Sequence, residues 1–211
     1  MRLYLSSYQF GDDPHRFATM VGGRRRGYVI MNALDASADT GRRAAAAQNQ
    51  RAALRALDLY AEELDVRSVR AGEAARVLER ADFVWVHGGN VFVLRAALAE
   101  SGMDAALREA LAADTLVYGG FSAGACVLGP SLAGYERCDP PADVTALGGT
   151  VRWDGLGVLD RAIVPHLDSP EHPDSAPLEE LAAEWRQNGT PFIGLRDGEA
   201  LVIGGRPASG G

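Results

Sequence analysis

Five residues, Gly120-Phe121-Ser122-Ala123-Gly124, carry the clearest chemical signal in the chain. They match G-x-S-x-G, the pattern of a serine held on a sharp strand-to-helix turn. An apolar run from Thr115 to Tyr118 precedes them and Ala-rich, apolar sequence follows, which suits that turn. There the hydroxyl is exposed, and the flanking glycines avoid collisions with the neighbouring strand and helix. The Ala123 amide then points where an oxyanion would form, at a helix start that favours negative charge. The plainer alternative is a Gly-rich turn with an incidental serine.

A nucleophilic serine needs a base. All 21 basic residues are Arg, and the absence of Lys excludes a Ser-Lys dyad, Schiff-base chemistry and a P-loop lysine. Four histidines remain. His15 and His172 sit in polar stretches and are expected at the solvated surface. His87 and His166 each end an apolar run, and ligand sites of open α/β sheets collect at the carboxyl ends of strands. His166, after Ile163-Val164-Pro165, is the expected base ahead of His87; a strand-end cap is the alternative for either. The base needs an orienting carboxylate. Glu136, Asp139, Asp143, Asp154 and Asp168 all lie on irregular sequence, where periodicity does not choose among them. Gly88-Gly89-Asn90 ends the preceding strand, and paired glycines let backbone amides approach a substrate. The Gly89 amide is the expected second oxyanion donor, with Gly88 and Asn90 beside the substrate.

These residues need elements to hold them. Strands are expected at Leu3–Ser7, Tyr28–Met31, Asp65–Val69, Phe83–Val86, Thr115–Tyr118, Ala162–Val164, Phe192–Leu195 and Ala200–Ile203. Helices are expected at Arg42–Leu64, Glu73–Arg80, Val91–Ala99, Met103–Ala112 and Leu178–Gln187. Gly129 to Gly157 reads as irregular loops, and Gly204 to Gly211 as a frayed tail. The alternation predicts an α/β sandwich with a largely parallel sheet and helices on both faces. With 211 residues, no repeat and no linker, residues 1–211 are expected to form one domain.

Composition narrows the class. Net charge is -7, which disfavours a phosphate-tracking surface, so no nucleic-acid partner is expected. No apolar stretch approaches the roughly 20 residues that span a bilayer, and no signal core opens the chain. Two cysteines form neither a metal-type cluster nor a disulfide framework, so a reduced cytoplasmic setting is expected. No cofactor or metal is expected.

Taken together, Val84-Trp85-Val86-His87-Gly88-Gly89-Asn90-Val91-Phe92, Gly120 to Ala125, Gly129-Pro130, Val164-Pro165-His166 and Ile193-Gly194-Leu195 with Asp197-Gly198 resemble the peptidase E group, which includes cyanophycinases. The resemblance runs from about Leu3 to Ile203. It implies a class I glutamine amidotransferase-like (flavodoxin-like) three-layer fold and a serine peptidase acting on short peptides at their N-terminal residue. It further implies Ser122 as nucleophile, His166 as base and the Gly89 and Ala123 amides as oxyanion hole. Apart from the resemblance, a short peptide is the expected partner and a homodimer an allowed assembly. Founding members place the third triad residue in the loop after Gly-Pro. A gap-free count lands on Arg137, so Glu136 is the expected third member of a Ser-His-Glu variant, with Asp139 in reserve. Asp-specific members carry an Arg after the catalytic His; His172 to Glu180 has none, so no preference for Asp-X peptides is expected. An α/β-hydrolase esterase shares G-x-S-x-G and the order Ser, acid, His, but usually places its His nearer the end of a longer chain. A non-catalytic metabolite-binding module and a metal hydrolase recruiting His166, Asp168, His172 and Asp174 are the weaker rivals.

Overall fold

Alternating side chains divide the core into two apolar layers, one on each face of a central sheet. In a strand, successive side chains point to opposite faces. Leu3 and Leu5 therefore join one buried cluster with Val84, Val86 and Tyr118, while Tyr4 joins the other with Phe83, Trp85 and Val117. Strands covered on both faces read as continuous apolar runs, as Phe83 to Val86 does.

The computed structural model describes residues 1–23 and 25–204. Strands are β1 (Arg2–Ser6), β2 (Arg26–Ile30), β3 (Tyr60–Glu63), β4 (Phe83–Val86), β5 (Val117–Phe121), β6 (Ala162–Val164), β7 (Phe192–Gly194) and β8 (Ala200–Ile203). Helices are α1 (Pro14–Val21), α2 (Thr40–Ala56), α3 (Ala74–Leu78), α4 (Val91–Glu100), α5 (Met103–Ala112), α6 (Ala123–Cys126), α7 (Ala142–Ala146) and α8 (Ser175–Asn188). Six strands form one sheet in the order β3-β2-β4-β5-β1-β8, all parallel except β8, which runs antiparallel to β1. Strands β6 and β7 pair in parallel as a separate two-stranded sheet. Residues of α1 and α2 bury themselves in one apolar cluster, and residues of α3, α4, α5 and α8 in the other. The result is the three-layer α/β sandwich that the alternation predicts.

Two local expectations are corrected. The helix expected over Arg42–Leu64 stops at Ala56; Asp58 takes φ +58°, and Tyr60–Glu63 pairs in parallel with β2. Ala and Glu favour a helix, but ladder pairing along the sheet edge overrides a weak propensity. The strand expected at Asp65–Val69 is a 3-10 turn over Val66–Ser68, because the Asp65 carboxylate accepts the Arg67 amide and caps it. Strand β5 also runs on through both glycines to Phe121, putting Ser122 at its end. Of the expected tail, residues 205–211 lie outside the described residues.

This topology sets the site. Parallel strands β4, β5 and β1 are neighbours in that order, so their carboxyl ends lie side by side. Those ends lead into His87-Gly88-Gly89, Ser122 and Ser7.

Candidate active site

Ser122 occupies a backbone conformation that few side chains tolerate, φ 49° and ψ -119°. Such a conformation costs on the order of 1–3 kcal/mol and persists only when its surroundings hold it. Here the Ser122 amide donates to the carbonyls of Ser6 and Ser7 at 3.3 and 3.1 Å, and its carbonyl accepts from Ala125 and Cys126 at 2.8 and 2.9 Å. Both glycines of the motif are required by space. A Cβ at Gly120 would lie 2.9 Å from the Gly124 carbonyl oxygen, and one at Gly124 only 2.3 Å from that of Val86. The turn therefore packs against β4 while presenting the hydroxyl.

Beyond that hydroxyl lies His166. Its Nε2 is 3.2 Å from Ser122 Oγ, and its Nδ1 is 2.6 Å from Asp197 Oδ1. A carboxylate accepts only, so Nδ1 carries the proton and Nε2 is left to accept from the serine. His166 is almost fully buried, at 1% exposure, while Asp197 keeps 27%. Burial pulls the imidazole below its usual pKa; Asp197 pushes back up, and neighbouring His172 adds to the depression. The base is thus neutral and ready at neutral pH.

Ser7, with no motif around it, ties the constellation together. Its hydroxyl accepts the His166 backbone amide at 2.7 Å and donates to Asp197 Oδ1 at 2.8 Å. The Asp197 amide in turn donates to Ser169 Oγ at 2.9 Å. Asp197 is thus held at Oδ1 by Ser7, just past β1, and at its backbone amide by Ser169, in the loop after β6.

The carboxylates expected to orient His166 lie elsewhere. Glu136 is exposed and accepts the Gly134 amide. Asp139 Oδ2 accepts the Val91 amide at 2.9 Å, at the first turn of α4. Neither is bonded to His166, and the expectation of either as its partner is corrected to Asp197. The gap-free count from Gly129-Pro130 points into the turn Tyr135–Arg137, where Tyr135 packs against Trp185 of α8, Arg137 pairs with Glu184 of α8 and Glu136 is exposed.

Asn90 has a structural role at this edge. Its side-chain oxygen caps α4 by accepting the Phe92 and Val93 amides, and its nitrogen donates to Pro140 O and Asp143 Oδ2. With these four bonds its side chain is committed to capping α4 and tying the loop at Pro140 and Asp143. Gly88 does border the site: a Cβ there would stand 3.0 Å from Ser122 Cβ. Gly89 has φ +134°, and a Cβ would lie 2.6 Å from the Ala33 carbonyl oxygen. Glycine is needed there, beside the Ala123 turn. His87 instead donates from Nδ1 to the Gly88 carbonyl at 2.6 Å and meets Phe121 edge-on. No metal-holding cluster of His, Cys, Asp or Glu occurs among the described residues.

A family model described as Peptidase family S51 matches residues 36–209. The chain belongs to peptidase family S51. As a member it is a peptidase-type α/β protein, and its S51 relatives agree in sequence and shape. An uncharacterized peptidase of Listeria monocytogenes is 34% identical over 154 residues, 73% of this chain and 72% of that protein. A Streptomyces coelicolor protein named peptidase E is 34% identical over 157 residues, covering 70% of this chain and 60% of that one. The crystal structure of a candidate peptidase E protein from Listeria monocytogenes superposes with TM-score 0.80 at 26% identity, covering 96% of this chain and 93% of that one. A peptidase from an acI-B1 Actinobacterium shares the fold, with TM-score 0.70 at 17% identity over 96% of this chain and 82% of that one. The S51 chain has the class I glutamine amidotransferase-like fold of peptidase E. No helix among its described residues is long and apolar enough to cross a membrane.

Asp139 yields a stability prediction. Burial pushes its carboxyl up to about 7, with Asp174 and Asp143 adding repulsion and the Val91 amide partly relieving it. A raised carboxyl favours the protonated folded state, so stability present below the ordinary value of 3.8 is lost as pH rises towards about 7. The accumulated penalty is on the order of 4 kcal/mol. Asp139→Asn, which can still accept from Val91, is expected to raise Tm at pH 8 and leave it near wild type at pH 4. An equal Tm difference at both pH values would show that Asp139 ionises normally in the folded protein.

Proposed function

We propose that this S51 peptidase hydrolyses short peptides at their N-terminal residue through an acyl-enzyme on Ser122. The observation that carries the reading is the hydrogen-bonded line from Ser122 Oγ through His166 to Asp197. His166 Nε2 takes the hydroxyl proton as Oγ attacks the scissile carbonyl. The oxyanion is met by the Gly89 and Ala123 amides, and Asp197 stabilises the imidazolium. His166 then returns the proton to the leaving amine, and a water activated by the same base releases the acyl group. The direct experiment is labelling with a fluorophosphonate, mapped by mass spectrometry, beside turnover of a dipeptide panel. A single phosphonylated site at Ser122 together with dipeptide hydrolysis is expected; labelling at another residue would overturn the assignment.

Preference for the first residue follows from charge. An acidic side chain buried without a cation would be costly. Arg161 pairs with Asp160, Arg196 with Asp168, and Arg186 lies over the Phe192 ring. Peptides with neutral or basic first residues are therefore expected to turn over better than Asp-X peptides. The measurement is kcat/KM across an X-Leu panel at one ionic strength. A tenfold advantage for Asp, about 1.4 kcal/mol, would overturn the expectation and direct attention to Arg42, whose charge reaches His87.

A further inference from the structure

His172 has no part in the reaction outlined above, yet its ring lies flat against that of His166. The centroids are 3.5 Å apart and the planes 2° from parallel. Its sequence context predicts a solvated residue among Pro and acidic neighbours; the structure half-buries it beside the base. Its place is built by backbone bonds. The His172 amide donates to Ser169 O at 2.8 Å, and its carbonyl accepts from Ser175 at 3.1 Å. Its Nδ1 accepts the Asp174 amide at 3.2 Å. A ring nitrogen that accepts from an amide carries no proton, so while this bond stands the ring hydrogen of His172 is on Nε2. Tyr8 closes the stack, meeting His172 edge-on at 5.6 Å and His166 at 6.2 Å.

We infer that His172 is a positioning residue for the peptidase reaction: it holds the plane of the His166 ring and sets the pH at which that ring becomes available as a base. The inference rests on the reading of His166 as the base of Ser122. When His166 takes the serine proton, its charge develops over the face of a neutral aromatic ring, which is attractive. Protonating both rings at this separation is opposed by like charge. The other groups facing the pair are Asp197 at His166 Nδ1, Ser122 at His166 Nε2, the Tyr8 ring edge, and Asp174, whose carboxylate lies 3.9 Å from His172 Nδ1. Asp197 and Asp174 favour the charged form of His166, and His172 opposes it only when it is itself protonated.

Two substitutions separate the effects. His172→Phe keeps a flat ring and removes the second titrating group. It is expected to retain turnover within about threefold and to move the acid limb of kcat/KM upward by about half a pH unit. His172→Ala removes the face and is expected to lower kcat about tenfold with KM little changed. NMR titration of the His166 ring should show the upward movement in the Phe variant and a smaller one in the Ala variant, which also loses the ring face, and this readout does not depend on activity. Unchanged turnover and an unchanged His166 titration in both variants would overturn the inference. So would equal losses in Phe and Ala variants without any change in titration, which would leave only packing. The reading beneath fails differently: a Ser122→Ala protein that keeps its activity would remove His166 as base while leaving the NMR titration able to report the stack.

Discussion

Ser122→Ala is expected to lower dipeptide turnover by about 10⁴- to 10⁶-fold, the loss typical when a nucleophile in such a site is removed. The fold should survive the change. The strained turn is held by the Ser122 backbone, through its bonds to Ser6, Ser7, Ala125 and Cys126, and among the described residues the hydroxyl bonds only towards His166. A melting temperature near wild type with turnover lost is the expected pair of results. Turnover near the wild-type level would remove the covalent mechanism. His166→Ala is expected to be comparably damaging, whereas His87→Ala should be milder. His87 spends its Nδ1 proton on the Gly88 carbonyl, and burial holds it below its usual pKa.

The second large effect is expected at Asp197. Asp197→Asn keeps size but loses the charge that stabilises the imidazolium, and it allows the wrong histidine tautomer. Turnover should fall by about 10⁴-fold, as it does where the equivalent orienting carboxylate is amidated. Glu136→Gln should leave kcat within about twofold, since Glu136 is exposed and accepts the Gly134 amide rather than meeting His166. Steady-state kinetics of the two variants side by side decides between them. A crippled Glu136→Gln protein with an active Asp197→Asn protein would reverse the assignment. Ser7→Ala should fall between these extremes, because it loosens both His166 and Asp197 without touching the serine.

Much of this site is legible in the residues alone, where the information is local. G-x-S-x-G after an apolar run identifies Ser122, since the collisions that demand Gly120 and Gly124 arise within one strand-turn-helix unit and its neighbour. Gly88-Gly89 is legible for the same reason, and His166 because a strand end can be read from its apolar run. The two-faced sheet follows from near-continuous apolar strands such as Phe83 to Val86. Arg42–Leu64 reads as one helix because Ala61-Glu62-Glu63 has helix-favouring composition, and only the pairing of Tyr60–Glu63 with β2 makes it a strand.

What the tertiary structure alone decided is the partner of the base. Asp197 stands on a turn between β7 and β8, far along the chain from Ser7 and Ser122. It reaches His166 because β8 pairs antiparallel with β1, and the Ser7 and Asp12 amides donate to the carbonyls of Glu199 and Gly198. The same closure brings the Ser7 hydroxyl between His166 and Asp197. His172 meets His166 through the hydrogen-bonded loop after β6, whose shape no periodicity encodes. Local sequence fixes which backbone turns can form, because their steric demands involve neighbouring residues. A carboxylate's partner depends on how distant strands pair, and that register is decided only when the whole sheet is assembled.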